Sequence, residues 1–175
     1  MRILRFSIMG FLCLLSSGCN TIEYYNGKKP KMDFKNFFKG RVKGTGVIFD
    51  YMGRQIRSFK VIIDGTVDGN KLTMDEEFDF DDGEKQYRVW KVQFEKNNDF
   101  TATAGDVIGT AIGRQRGNAV NLKYTLNIPY KDSSINLKMD DFMYMASEKT
   151  ILNRTKMKKL GIKVGEVIIF MEKMD

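Results

Sequence analysis

Apolar and polar residues alternate with a period of two along much of this chain. The odd positions of Phe59-Lys60-Val61-Ile62-Ile63 are apolar, and so are most even positions from Leu72 to Phe80. From Arg88 to Phe94 the even positions Trp90, Val92 and Phe94 form one face, and Val120 to Ile128 alternates without a fault. Leu137, Met139, Met143 and Met145 share a side of the next run, and Ile162 to Phe170 forms the last. Side chains of a strand point to opposite faces in turn, so each run predicts a strand with one buried face. Turn residues separate the runs, among them Asp68-Gly69-Asn70, Asp81-Asp82-Gly83, Asn97-Asn98-Asp99, Arg116-Gly117-Asn118 and Lys131-Asp132-Ser133. About nine strands joined by tight turns predict an all-β, antiparallel up-and-down meander, most economically closed into a barrel. A two-sheet sandwich is the alternative. The segment Asp33 to Phe38 predicts a short N-terminal helix that plugs or covers one end. The polar faces are rich in Lys and Asp, so the apolar faces point inward, unlike those of a membrane-spanning barrel.

The first residues are of another kind. Arg2 and Arg5 precede an uncharged apolar stretch, Phe6 to Leu15, and the small residues Ser16-Ser17-Gly18 lead to Cys19. This is the layout of a secretory signal. Its end resembles a lipobox, with Ser16 where Leu is usual and Leu15 one position early. The expectation is a lipoprotein signal peptide over 1–18, a lipid-anchored tether over 19–32 and a single β-barrel domain over 33–175. The membrane is then a partner through the N-terminal lipid anchor on Cys19. Cys13 would leave with the leader, which removes any intramolecular disulfide. Asn20 stands where Asp commonly retains lipoproteins in the inner membrane. The expected location is therefore the Gram-negative cell envelope, on an outer-membrane lipoprotein facing the periplasm.

Composition mainly excludes. The chain has no histidine, and Cys19 would be the single mature cysteine. That removes His-based acid–base catalysis, the usual zinc sites and Ser-His-Asp triads. Gly105, Gly109, Gly113 and Gly117 lack a phosphate-loop lysine and read as bends or close strand contacts. The acidic run from Asp75 to Glu84 lacks calcium-loop spacing and reads as a solvated hairpin. No cofactor, metal or catalytic residue is assigned. The formal net charge is +7, and Arg2 and Arg5 account for two of those charges, which leaves about +5 after the leader. Basic residues alternate with acids, and the densest group is Lys156, Lys158, Lys159 and Lys163. They read as a solvated face or a contact with anionic headgroups, and nucleic acid is not expected as a partner.

Parity singles out a few polar residues. Glu76 shares a face with Leu72, Met74, Phe78 and Phe80; Arg88 with Trp90, Val92 and Phe94; Asp141 with Met139, Met143 and Met145. Tyr124 sits on the apolar face of its own run. Buried charges need partners. One reading is an internal Arg–carboxylate network that fixes strand register. Another is a ligand headgroup site in which Arg88 grips an anionic group. A third pairs Glu76 with Asp141 for hydrolysis.

From Phe37 to Met171 the chain resembles an uncharacterised family of bacterial lipoproteins, the domain of unknown function 3833. The matching stretches include Phe37-Phe38-Lys39-Gly40-Arg41, Asp75-Glu76-Glu77-Phe78, Arg88-Val89-Trp90, Asp140-Asp141-Phe142-Met143-Tyr144 and Gly161-Ile162-Lys163-Val164-Gly165-Glu166. The resemblance implies an exported lipoprotein and brings no established activity. In outline the barrel resembles lipocalins, although Gly40 is followed by Arg41-Val42 and not by the Gly-x-Trp of a lipocalin first strand. The function expected first is binding or handling of a lipid or other apolar ligand inside the barrel. Arg88, Trp90 and Tyr124 would stand near its polar end, with Glu76 and Asp141 beside them, and the methionine strand would supply an adaptable lining. The alternative is a structural or accessory envelope lipoprotein with a filled barrel, acting through its surface. A carboxylate-dependent hydrolase comes third.

Overall fold

The structure, a computed structural model, describes residues 21–130 and 132–174. The leader, Cys19 and Asn20 lie outside the described residues. A 3-10 turn, Ile22–Tyr25, comes first, and a short helix, α1 (Phe34–Phe37), follows. Ten strands come next: β1 (Gly40–Asp50), β2 (Gln55–Asp68), β3 (Lys71–Phe80), β4 (Lys85–Phe94), β5 (Phe100–Thr103), β6 (Val107–Arg116), β7 (Ala119–Tyr130), β8 (Ser133–Ser147), β9 (Thr150–Lys159) and β10 (Ile162–Lys173). Each pairs antiparallel with its neighbour in sequence, and β1 pairs with β10, which closes the barrel.

The strands that sequence alternation brings out least clearly have a common feature. Several of their inward positions hold glycine or polar residues in place of large apolar side chains. In β1 the inward Gly44 and Gly46 are overlaid by Val61 and Phe59; a Cβ at Gly46 would lie 2.3 Å from the Phe59 ring. In β6 Gly113 makes room for the Phe100 ring, which would lie 2.2 Å from a Cβ there. In β9 the inward Asn153 and Thr155 are buried polar residues. The inward pattern is therefore filled from neighbouring strands and is invisible along the strand itself.

Alternate hairpins of an up-and-down barrel gather at opposite ends. The end that holds the β2–β3, β4–β5, β6–β7 and β8–β9 hairpins is capped by α1. Asp33 caps the helix by accepting a hydrogen bond from the Asn36 backbone N–H at 3.1 Å. Gln115 of β6 accepts another from the Phe34 N–H at 3.0 Å. The Lys173 ammonium donates to the carbonyls of Asn36 and Phe37 at 3.2 and 2.9 Å, neutralising acceptors at the helix end. Met32, Phe34, Phe37 and Phe38 are buried, and Phe34 stacks on Phe100 with ring centroids 4.9 Å apart. The expectation of a helix covering one end is met by these contacts. Within the stretch read from sequence as a tether, Ile22 is 4 % exposed and Met32 is fully buried, so much of that stretch lies against the barrel.

Among the described residues, every strand pairing and the buried core lie within residues 22–173, so a chain beginning at Thr21 keeps all of these contacts. Gly65 sits beneath α1, and a Cβ there would fall 1.6 Å from the Phe38 carbonyl oxygen. Gly65→Ala should therefore destabilise the fold by about 1–3 kcal/mol through overpacking. Gly105→Ala, where a Cβ meets nothing within 4 Å, should lose much less. Urea unfolding of the two variants compares them directly.

Candidate functional site

The register of β3 and β4 places Glu76 directly opposite Arg88, both pointing inward. Arg88 Nη1 stands 3.6 Å from Glu76 Oε2. The rest of its guanidinium is taken by Asp106, in the turn between β5 and β6. Nε donates to both Asp106 oxygens at 3.0 Å, and Nη2 donates to Oδ2 at 2.7 Å. Such a forked, charge-assisted contact is the strongest kind of pairing open to a largely buried arginine. The Trp90 indole N–H faces Glu76 and slightly favours its charged form. The Trp90 ring meets Tyr124 of β7 edge-to-face, with centroids 5.3 Å apart. Asp141 of β8 is held separately: it accepts a hydrogen bond from the Asn153 amide of β9, whose Oδ1 accepts from the Thr155 hydroxyl at 3.3 Å.

The structure thus gathers Glu76, Arg88, Trp90 and Tyr124 into one contiguous group. Asp141 joins through electrostatics, and its own hydrogen bonds go elsewhere. Sequence parity does not reveal Asp106, because it lies in a turn, nor Asn153 and Thr155, whose strand lacks an apolar face. Arg88 does not stand free to grip an anion, because two carboxylates already span it.

Burial dominates the protonation of this group. It pushes Glu76 up to about 7, against the pull of Arg88 and with Asp141 and Asp106 adding to the rise. Burial pushes Asp141 up to about 6, partly offset by Asn153 and Thr155. Tyr124 is raised for the same reason and stays a neutral phenol. Burial opposes the charge on Arg88, but Asp106 and Glu76 outweigh it and keep the guanidinium ionised. One cation therefore faces three carboxyl groups, two of which are inclined to hold a proton near neutrality.

The surroundings differ along the barrel axis. Toward the capped end most inward side chains are fully buried, as at Val42, Leu72, Val120 and Ile151, while Val67 and Phe94 are partly buried. Toward the open end the inward apolar residues Ile48, Phe78, Ile128, Ile135, Met157 and Val167 are only partly buried. Met143 and Met145 belong to the main core, and Met139 packs with Leu126 and Leu137 in a smaller cluster on β7 and β8. A groove of about 410 Å³ is lined by Arg41, Asp64, Asp75 and Tyr87 together with Glu76 and Arg88. Among the described residues no group of three or more His, Cys, Asp or Glu is placed to hold a metal ion. No described helix is long and apolar enough to cross a membrane.

These features define a closed, antiparallel up-and-down β-barrel with one capped end and a cluster of titratable groups inside. The chain belongs to a family described as protein of unknown function (DUF3833), whose family model matches residues 11–173. No curated protein matches the chain.

Because burial raises Glu76 in the fold, its protonated form favours folding. That contribution is complete below the ordinary Glu value of 4.5 and is lost as pH rises toward about 7. Glu76→Gln keeps an acceptor for Trp90 and removes the titration. Relative to the unmodified protein, this variant should gain stability as pH rises from about 4.5 to about 7 and then level off. Unfolding free energies measured at pH 5 and pH 8 test the sign.

Proposed function

We propose that this protein is a membrane-tethered barrel that takes a lipid or similarly apolar molecule through its open end. The observation that carries this reading is the gradient of burial. Inward apolar side chains near the open end remain partly accessible, and Arg88, Glu76, Trp90 and Tyr124 point into the same interior with Asp106 beside them. An apolar lining with a few converging polar groups is the usual composition of a small-molecule site. The balance of charge narrows the ligand's polar end. With Arg88 already paired, an added carboxylate meets acids at Glu76, Asp106 and Asp141. A hydroxyl or ester, able to donate to or accept from the cluster, fits without that repulsion.

Trp90 is the single tryptophan of the chain and adjoins the polar cluster, so its fluorescence reports ligand entry. Titration with a long-chain alcohol should shift or quench the Trp90 emission. Val167→Phe, which enlarges a residue of the lining, should weaken that response. A long-chain carboxylate should bind more weakly at pH 8 than at pH 6, because Glu76 and Asp141 lose protons across that interval. An unchanged Trp90 signal with every probe, and no lipid extracted from protein purified under mild conditions, would reject the binding reading.

One observation favours a second reading, a filled structural barrel acting through its surface. The hydrogen-bonding capacity of Arg88 is largely used by Asp106 and Glu76, as a register-fixing network requires. The fluorescence titration separates the two.

The tether is part of the proposal. The signal-like leader and Cys19 support export and acylation, with the anchor in the outer membrane and the barrel facing the periplasm. Two residues, Asn20 and Thr21, separate Cys19 from the buried Ile22, a reach of roughly 10 Å, so an acylated cysteine would hold the barrel close to the bilayer. Intact mass of the envelope-extracted protein should show the acyl chains, and Cys19→Ser should abolish them.

A further inference from the structure

The outer wall of β8, β9 and β10 breaks the polar-outside rule. Strand register places its outward side chains in rows. Nearest the capped end, Tyr144, Leu152 and Phe170 lie side by side, and Phe142, Arg154 and Ile168 form the next row. Leu152, Ile168 and Phe170 are exposed, and the Phe142 and Tyr144 rings stack on each other with centroids 5.8 Å apart. Toward the open end, Lys138, Lys158 and Lys163 sit directly opposite one another across the same strands. Beyond them, the β9–β10 hairpin puts Leu160 in water at 92 % exposure and Ile162 at 70 %.

Two of these arrangements work against the stability of the barrel. Like charges directly opposite one another weaken a sheet. Lys158 leans toward Asp140 at 3.5 Å and Lys163 toward Glu166 at 2.5 Å, but no described carboxylate lies within 4.0 Å of the Lys138 or Lys159 ammonium. Leu160 adopts φ 50° ahead of Gly161 at φ 84°, where a hairpin favours Asn or Gly. A leucine that is both conformationally unfavourable and fully solvated contributes nothing to the fold.

We infer that this wall and its hairpin form a docking face for an anionic lipid bilayer. Apolar tips would enter the interface while the lysine row meets the headgroups. A second copy of the chain is a poor occupant, since the two lysine rows would repel. Closure of the barrel also leaves no free strand edge for a partner to extend. The face lies on the same half of the molecule as the start of the described chain, where Tyr25 packs on Phe142 and Tyr144. A barrel lying on this wall brings its N-terminal segment and its lysine row to one surface. The inference holds whether or not the interior carries a ligand.

The test is vesicle flotation of the chain beginning at Thr21, which has neither leader nor Cys19. Vesicles are of phosphatidylcholine alone or of phosphatidylcholine mixed with phosphatidylglycerol, at low and high salt. The expected result is association with the mixed vesicles only, lost at high salt. Leu160→Asn should lower that association about tenfold, the equivalent of removing one inserted leucine, while its melting temperature stays the same or rises. Lys138→Glu should also weaken it. Three results would overturn the inference: no association with either vesicle, equal association with both, or full association of Leu160→Asn. A dimer in sedimentation that Leu160→Asn dissolves would also overturn it, assigning the face to a second copy.

Discussion

Closure of the ladder between β1 and β10 is the constraint on which the rest of the molecule depends. An open sheet leaves a row of unpaired backbone groups at each edge, and a closed one leaves none. Once the strands close, each has a defined inside and outside, and alternate residues are assigned to one or the other except where a bulge shifts the register, as between Lys163 and Gly165. Glu76, Arg88, Trp90, Tyr124 and Asp141 come together because each occupies an inward position on a strand whose register is locked by its two neighbours. A one-residue slip in any of these pairings would carry its polar residue to the outer wall.

The same closure makes the two ends unequal. Ten strands enclose more space than their own inward side chains fill evenly. At one end the gap is taken by α1, whose phenylalanines pack on Phe94 and Phe100 and whose last carbonyls are met by Lys173. At the other end, among the described residues, turns alone surround the opening, and inward apolar groups remain partly accessible. The ion cluster lies inside the barrel, between the end capped by α1 and the partly accessible apolar residues of the other end. That position raises the carboxyls of Glu76 and Asp141 while leaving Asp106 half-exposed as the counter-charge of Arg88. An isolated buried arginine would be costly; one clasped by Asp106 and faced by Glu76 is tolerated.

The outside is as informative as the inside. Most surface charges are in local pairs, such as Arg41 with Asp64 and Arg116 with Asp99, and such pairs usually contribute little beyond solubility. On the wall of β8 to β10 Lys158 and Lys163 also reach carboxylates, but three lysines align directly and Leu152, Ile168 and Phe170 are exposed. Barrel stability gives no reason for either feature, which is why the wall is read as a contact surface.

Period-two alternation along the chain determined the class of fold and the inward face of β2, β3, β4, β7 and β8, because burial of one sheet face dictates every second residue. It also determined that Glu76, Arg88, Tyr124 and Asp141 point inward, since parity passes from apolar neighbours to the polar residues between them. The inward faces of β1, β6 and β9 stayed hidden, because Gly44, Gly46, Gly113, Asn153 and Thr155 carry no hydrophobic signal; Val61, Phe59 and Phe100 cover these glycines from adjacent strands. Only the tertiary structure brought Asp106 to Arg88, since a turn residue has no parity and its partner lies 18 positions away. Only the register across three strands aligned Lys138, Lys158 and Lys163, because lateral neighbours in a sheet are set by pairing and not by distance along the chain.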